Sequence, residues 1–216
     1  MKKRVAALIS GRGSNMTSLI VAAKDPAFPA EIALVLSNRP DAAGLETARK
    51  EGIAAVAIDH KIYTSREEFE RAMQRVLEEH KIDIVCLAGF MRLLTPWFVE
   101  QWSGKMLNIH PAILPLYKGL HTHERALADG VKLHGATAHF VVPGMDEGPI
   151  IAQAVVPVLS HDTPATLGAR VLVQEHKIYP LALKLLASGR LHLDGARVLI
   201  KEESANDGAL ISPKMD

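Results

Sequence analysis

Asn108 and His110 stand two positions apart at the end of the apolar run 106-MLNIH-110. If that run is a strand, both side chains leave from the same side, because side chains repeat every second residue. An amide beside a protonated imidazole is a pair of donors suited to a developing oxyanion. Pro111 forces His110 into an extended conformation, and with Pro115 it disfavours continuation as a helix, so the pair sits where a strand ends. Asp146 lies in the turn 143-PGMDEGP-149. Alone it reads as a turn former. Together with Asn108 and His110 it gains a second role, since a carboxylate beside an imidazole favours the charged ring. The trio suits acyl transfer to a nucleophile that the substrate brings. The chain offers none itself: Cys86 is embedded in an apolar run, and no G-x-S-x-G elbow occurs.

A second candidate is the loop 10-SGRGSN-15, which follows the apolar run Val5–Ile9. Such a loop aims backbone N–H groups at an anion, phosphate above all, held at a helix N-terminus. A dinucleotide fingerprint needs a third glycine where Met16 stands and an acidic residue where Asn38 and Arg39 stand, so NAD does not fit. Arg39 leaves an NADP enzyme open, and a tight turn without a ligand is the bland alternative. Five histidines, His110, His121, His123, His134 and His139, cluster in sequence and raise a metal reading in which His121 and His123 share one side of an extended segment. Their spacing matches no HExxH-type helix, and the expectation is no metal. His134 and His139 are expected to be structural or exposed.

These residues need a scaffold. The chain has 216 residues, 48% of them hydrophobic, enough for one substantial core. A formal net charge of +1 gives no basic field for nucleic acid, so small-molecule ligands are expected. The single cysteine excludes an internal disulfide and suits a reducing compartment. The run Val5–Ile9 is too short for a secretory signal and Ile84–Met91 too short to cross a bilayer, which leads to a cytoplasmic assignment.

Apolar, β-branched runs at Val5–Ile9, Ile32–Ser37, Ala54–Ile58, Ile84–Ala88 and Met106–Ile109 alternate with helical patterns. That order predicts an α/β fold: a Rossmann-like, mostly parallel sheet flanked by helices. Ser65 with Glu68 predicts a capping box, and Thr95–Pro96 an N-cap and N1. After His110 the pattern predicts a short helix near Glu124–Ala128, antiparallel strands Ala136–Val142 and Ile150–Val156, and a long helix over 163–188 whose faces carry Leu167, Val171, Ile178, Leu181 and Leu185. Asp194–Gly195 predicts a terminal hairpin. The expected organisation is one domain over 1–201, with halves of about 1–110 and 111–201, and a loosely ordered polar tail over 202–216.

The segments 10-SGRGSN-15, 87-LAGFMRLL-94, 107-LNIHPAILP-115, 119-GLHTHERAL-127, 135-GATAHFV-141, 146-DEGPII-151 and 174-QEHKIYP-180 resemble the folate-dependent formyltransferases. SG-x-GSN and GLHTH resemble in particular the branch that acts on glycinamide ribonucleotide. The resemblance implies transfer of a formyl group from 10-formyltetrahydrofolate to the amine of 5′-phosphoribosylglycinamide, a step of purine synthesis, without a metal. It implies Asn108, His110 and Asp146 as the catalytic trio, Gly13, Ser14 and Asn15 at the phosphate, and Glu175 near the ribose and amine. It assigns the folate to Arg66, to Met91, Arg92, Leu93 and Leu94, to Val142, Pro143, Gly144, Met145 and Asp146, and to Asn108. Lys118 and Glu147 depart from the family pattern, which often has Pro and Gly there. A monomer or homodimer is implied. The alternatives are another folate-dependent formyltransferase, a formyltetrahydrofolate hydrolase, and a non-catalytic nucleotide-binding protein.

Overall fold

A computed structural model describes residues 1–203 together with Gly208 and Ser212. The tail expected over 202–216 therefore falls almost wholly outside the described residues. Strands β1 (Lys3–Ile9), β2 (Ala30–Ser37), β3 (Ala54–Ala57), β4 (Ile84–Leu87) and β5 (Met106–His110) pair in parallel. Strands β6 (Leu133–Phe140) and β7 (Ile150–Pro157) extend the sheet antiparallel, giving the order β3-β2-β1-β4-β5-β6-β7. The order reverses between β1 and β4, and open α/β sheets hold their ligands at the carboxyl ends of the strands flanking such a point.

The continuous apolar runs have a simple cause: both faces of the sheet are covered. Val5, Ala7 and Ile9 of β1 join the core that includes α1 (Ser14–Ala23) and α6 (Pro164–Ala187), while Ala6 and Leu8 face the core that includes α3 (Arg66–Glu79) and α4 (Pro96–Gln101). Helices α2 (Ala43–Lys50) and α5 (Thr122–Ala128) complete the set, and β8 (Leu191–Asp194) pairs with β9 (Arg197–Ile200) as the expected hairpin. Tyr179, fully buried on α6, ties the helix to the sheet, with its Oη 2.9 Å from the Leu87 carbonyl and 3.2 Å from that of Leu107.

Some local expectations need correction. The Ser65 hydroxyl accepts from the Glu68 N–H at 3.1 Å, but the Glu68 carboxylate turns to Thr64 N–H and Oγ1, so only half of the box exists there. A complete capping box starts α6 instead, between Thr163 and Thr166. Leu181 is 46% exposed, because the buried face of α6 runs through Leu167, Val171, Ile178 and Leu185 and leaves it outside. Strand β6 begins at Leu133, ahead of the expected Ala136, since its ladder with β7 continues through polar His134 to Leu133 opposite Pro157.

Candidate active site

Strand β5 delivers Asn108 and His110 to the carboxyl edge of the sheet, and the turn after β6 folds back to meet them. That return requires Gly148, where a Cβ would lie 1.7 Å from the Phe140 carbonyl oxygen. Asp146 sits in the left-handed region at φ 54, a conformation that Asp tolerates better than most residues. One of its oxygens, Oδ2, accepts from the Gly119 N–H at 2.8 Å and stands 3.3 Å from His110 Nδ1. The other, Oδ1, is 3.8 Å from His139 Nε2.

His110 is 5% exposed, and its Nε2 lies 2.9 Å from the Tyr117 carbonyl. A carbonyl only accepts, so Nε2 carries a hydrogen and the ring orientation is fixed, leaving Nδ1 as the nitrogen that faces Asp146. Asn108 Nδ2 is 3.2 Å from His139 Nε2, and His139 Nδ1 donates to the Phe140 carbonyl at 2.7 Å. With Nδ1 as the donor, the neutral His139 ring presents a bare Nε2, which accepts one of the two Asn108 amide hydrogens. Burial pushes the His139 pKa down, which keeps that ring neutral. The other hydrogen on Asn108 Nδ2 is left for a ligand oxygen.

His139 is the residue that sequence reasoning undervalued. It is buried, as a structural histidine would be, yet it bridges two of the three candidate catalytic groups. The signal was present in the alternation His139, Thr137 on a strand antiparallel to β5, where Asn108 lies directly opposite His139. Thr137 Oγ1 in turn donates to the Ala112 carbonyl and accepts from the Leu114 N–H, at 2.7 and 3.0 Å, and so pins the segment that follows His110.

The histidine-rich segment does not form the extended arrangement that a metal reading needs. His121 is the left-handed N-cap of α5 and is exposed, whereas His123 is on the helix, with Nδ1 3.2 Å from Nε2 of buried His134. Among the described residues no group of three or more His, Cys, Asp or Glu could hold a metal ion.

The glycine loop forms the second half of the site. Gly13 is the N-cap of α1 at φ 72, and the helix begins with Ser14 and Asn15, whose N–H groups have no intrahelical acceptor. Asn15 is 9% exposed and its Nδ2 donates to Glu175 Oε2 at 2.6 Å, across from α6. Asn15 Oδ1 is buried without a hydrogen-bond partner among the described residues, an acceptor ready for a ligand N–H or O–H. Burial raises the Glu175 pKa, opposed by the Asn15 amide. A cavity of about 440 Å³ adjoins the loop, with Ser10, Asn38, Gly89, Met91 and Arg92 also in its lining. A cavity of about 510 Å³ lies at the opposite ends of the strands, beside Lys3, Asp83 and Lys105, and holds none of these groups.

The segments expected to take the folate differ in placement. Met91, Leu93 and Met145 are exposed at 71%, 60% and 54%, unusual for large apolar side chains and suited to a flat apolar ligand. Arg92 lies over the Phe69 ring at 5.8 Å, and Leu94 is half-buried. Val142 and Gly144 are half-buried in the Asp146 turn, Pro143 is exposed, and Met145 lies against Gly119. Arg66 is exposed in the first turn of α3, outside the contacts around Asp146.

The sequence profile of the formyl transferase family matches residues 3–183. The chain is 52% identical over 204 residues to the human trifunctional purine biosynthetic protein adenosine-3, covering 94% of itself and 20% of that protein. It thus spans about a fifth of the length of that relative. It is 44% identical over 201 residues to phosphoribosylglycinamide formyltransferase of Escherichia coli K12, covering 90% of itself and 95% of the relative. Among solved structures, glycinamide ribonucleotide transformylase 1 of Symbiobacterium toebii superposes with a TM-score of 0.90 at 45% identity, over 92% of this chain and 94% of that one.

Proposed function

The chain belongs to the formyl transferase family, and from that premise we propose that it transfers the formyl group of 10-formyltetrahydrofolate to the amine of 5′-phosphoribosylglycinamide. The observation that carries this reading is that two separate devices stand at the carboxyl ends of strands β1 and β5 of one sheet. One is the Asn108–His139 and His110–Asp146 arrangement, and the other is the Gly13–Asn15 helix terminus joined to Glu175. A sensor of nucleotides would use only the second.

The neutral amine of the ribonucleotide attacks the formyl carbon, forming a C–N bond and a tetrahedral oxyanion. The free N–H of Asn108 donates to that oxygen, where the charge develops, and His110, when it carries a proton on Nδ1 as well as Nε2, adds its positive charge from the side it shares with Asp146. Asp146 orients His110 and takes up the proton that the amine releases, directly or through water. Collapse of the intermediate breaks the bond to folate N10, which receives that proton. Both ligands are bound together, so proximity supplies much of the rate and no covalent enzyme intermediate is needed.

In the same reading Gly13, Ser14 and Asn15 hold the phosphate, Glu175 with Asn15 Oδ1 meets the ribose or amine, and the folate runs along Arg66, 91–94 and 142–146. The partners are small molecules, and the free thiol of Cys86 suits a reducing, cytoplasmic setting. The test is direct. Purified protein is mixed with 10-formyltetrahydrofolate with and without glycinamide ribonucleotide, and tetrahydrofolate is followed. Release only with the ribonucleotide is expected; release in its absence would make the protein a hydrolase.

A further inference from the structure

Beyond the end of β1, the contact with the β4 side continues through Ser10. The Ser10 N–H donates to the Gly89 carbonyl at 3.0 Å, and its Oγ accepts from the Met91 N–H at 2.8 Å. The same hydroxyl donates to Asn38 Oδ1 at 2.6 Å. Ser10 and Asn38 are 7% and 3% exposed, and Asn38 is held from behind by His60, whose Nδ1 lies 2.8 Å from the Asn38 carbonyl. A hydroxyl has one hydrogen; Asn38 claims it, which turns an oxygen lone pair to Met91. The Ser10 hydroxyl has both a donor and an acceptor partner and is buried, the circumstance in which polar networks hold a single geometry.

Ser10 thus touches two segments that the reading above gives to different substrates. It opens the glycine loop on one side and fixes the backbone of the 89–94 segment on the other. Phe90 and Leu94 pack into the core beside α3 and α4, while Met91 and Leu93 between them are largely exposed, so at Met91 the Ser10 bond is the polar tie that fixes the backbone.

We propose that Ser10, oriented by Asn38, is a positioning residue that couples the two substrate sites: ordering of the glycine loop by the ribonucleotide phosphate also orders the folate segment. This rests on the formyl transfer reading given above. Energetically, the first ligand fixes a shared element, and the second then binds with less ordering left to do. Linkage makes the effect reciprocal, so each ligand strengthens the other by the same factor.

Tetrahydrofolate lacks the formyl group and forms a ternary complex without reacting, so its affinity is measured by calorimetry with and without saturating glycinamide ribonucleotide. The wild type is expected to bind tetrahydrofolate at least about 5-fold tighter when the ribonucleotide is present, the lower end of ordinary coupling. Ser10→Ala is expected to bring that ratio close to one while changing each separate affinity far less, and Ser10→Thr, which keeps the hydroxyl, to restore it. Circular dichroism and melting establish that each variant is folded. Should Ser10→Ala fail to fold, Asn38→Ala removes the orienting acceptor and carries the same expectation. A wild type that transfers formyl but shows no coupling, or variants that keep it, would overturn the link alone. A wild type that transfers no formyl would overturn the activity reading and the link with it.

Discussion

His139 Nε2 accepts a hydrogen from the Asn108 amide across the β5–β6 ladder, at 3.2 Å, and so decides which way the amide faces. Replacement by Leu removes the acceptor and leaves a buried N–H unpaired, at a cost of about 1–3 kcal/mol. If half or more of that falls on the transition state, His139→Leu lowers kcat by about 10-fold with little change in either KM. Asn108→Ala, which removes the oxyanion donor itself, is expected to lower it by about 10² to 10³. Steady-state kinetics on both variants check the order, and a His139→Leu enzyme as fast as wild type would remove His139 from the site.

Asp146 is the group that depends most on the fold, since its oxygens meet Gly119, His110 and His139 from a separate turn. Asp146→Asn keeps the size and removes the charge and the proton acceptor. It should bind both substrates nearly as before and lose about 10² to 10⁴ in kcat, the span of general acid–base groups. Near-normal turnover would make Asp146 an ordinary turn residue.

For the glycine loop, Gly13→Val meets two obstacles. Its φ of 72 is unfavourable for a β-branched residue, and the added Cβ would approach Met16 Cε to 3.2 Å. The expected result is loss of ribonucleotide affinity with the folate site retained. Binding of phosphorylated and dephosphorylated glycinamide riboside to the wild type checks the premise: equal affinity would mean that the loop does not hold the phosphate.

Much of this arrangement was legible in the sequence, and for identifiable reasons. The β5 alternation put Asn108 and His110 on one side, and Pro111 ended the strand, because both follow from local backbone geometry. The doubly wound order followed from apolar runs separated by helical patterns. What local rules could not show was partnership across strands. His139 looked like any buried strand histidine until the β5–β6 register paired it with Asn108. Glu68 looked like half of a capping box until Thr64 offered two donors to its carboxylate. Ser10 looked like part of a loop until Gly89 and Met91 came beside it. In each case the deciding contact is nonlocal or competes with a local rule of similar strength.

Lys118 and Glu147, distant in sequence, meet in space: Lys118 Nζ is 3.0 Å from Glu147 Oε1. The pair joins the loop before Gly119 to the turn that holds Asp146. Both side chains are substantially exposed, and such pairs contribute about 0–1 kcal/mol. Glu147→Gln is therefore expected to raise the folate KM by no more than about 5-fold and to leave kcat unchanged, with the difference from wild type fading as salt is added. The double variant with Lys118→Gln should match the single one. A kcat effect that persists in high salt would show that Glu147 acts on the chemistry and not on the loop.

The last prediction concerns pH and the buried pair His123–His134. His134 is 1% exposed, and burial, then the neighbouring His123, hold its pKa at about 4. Burial lowers His123 as well. An unfolded histidine titrates near 6.5, so between about 4 and 6.5 the unfolded chain binds more protons than the folded one. Stability is therefore fully present above about 6.5 and is lost as pH falls through that window. His134→Gln keeps hydrogen-bonding capacity toward His123 but has no proton to gain. Its urea midpoint should fall less than that of the wild type between pH 7 and 5, by the equivalent of about 2 kcal/mol. The consequence reaches the active site, because the His134 ring meets the Tyr117 ring edge-on at 5.6 Å, and the Tyr117 carbonyl holds His110 Nε2. Charging His134 puts a buried cation between His123 and the Tyr117 ring, so wild-type kcat should drop earlier on the acid side than that of His134→Gln. Parallel pH profiles of midpoint and kcat for the two proteins, if superimposable after scaling, would show that His134 carries neither effect.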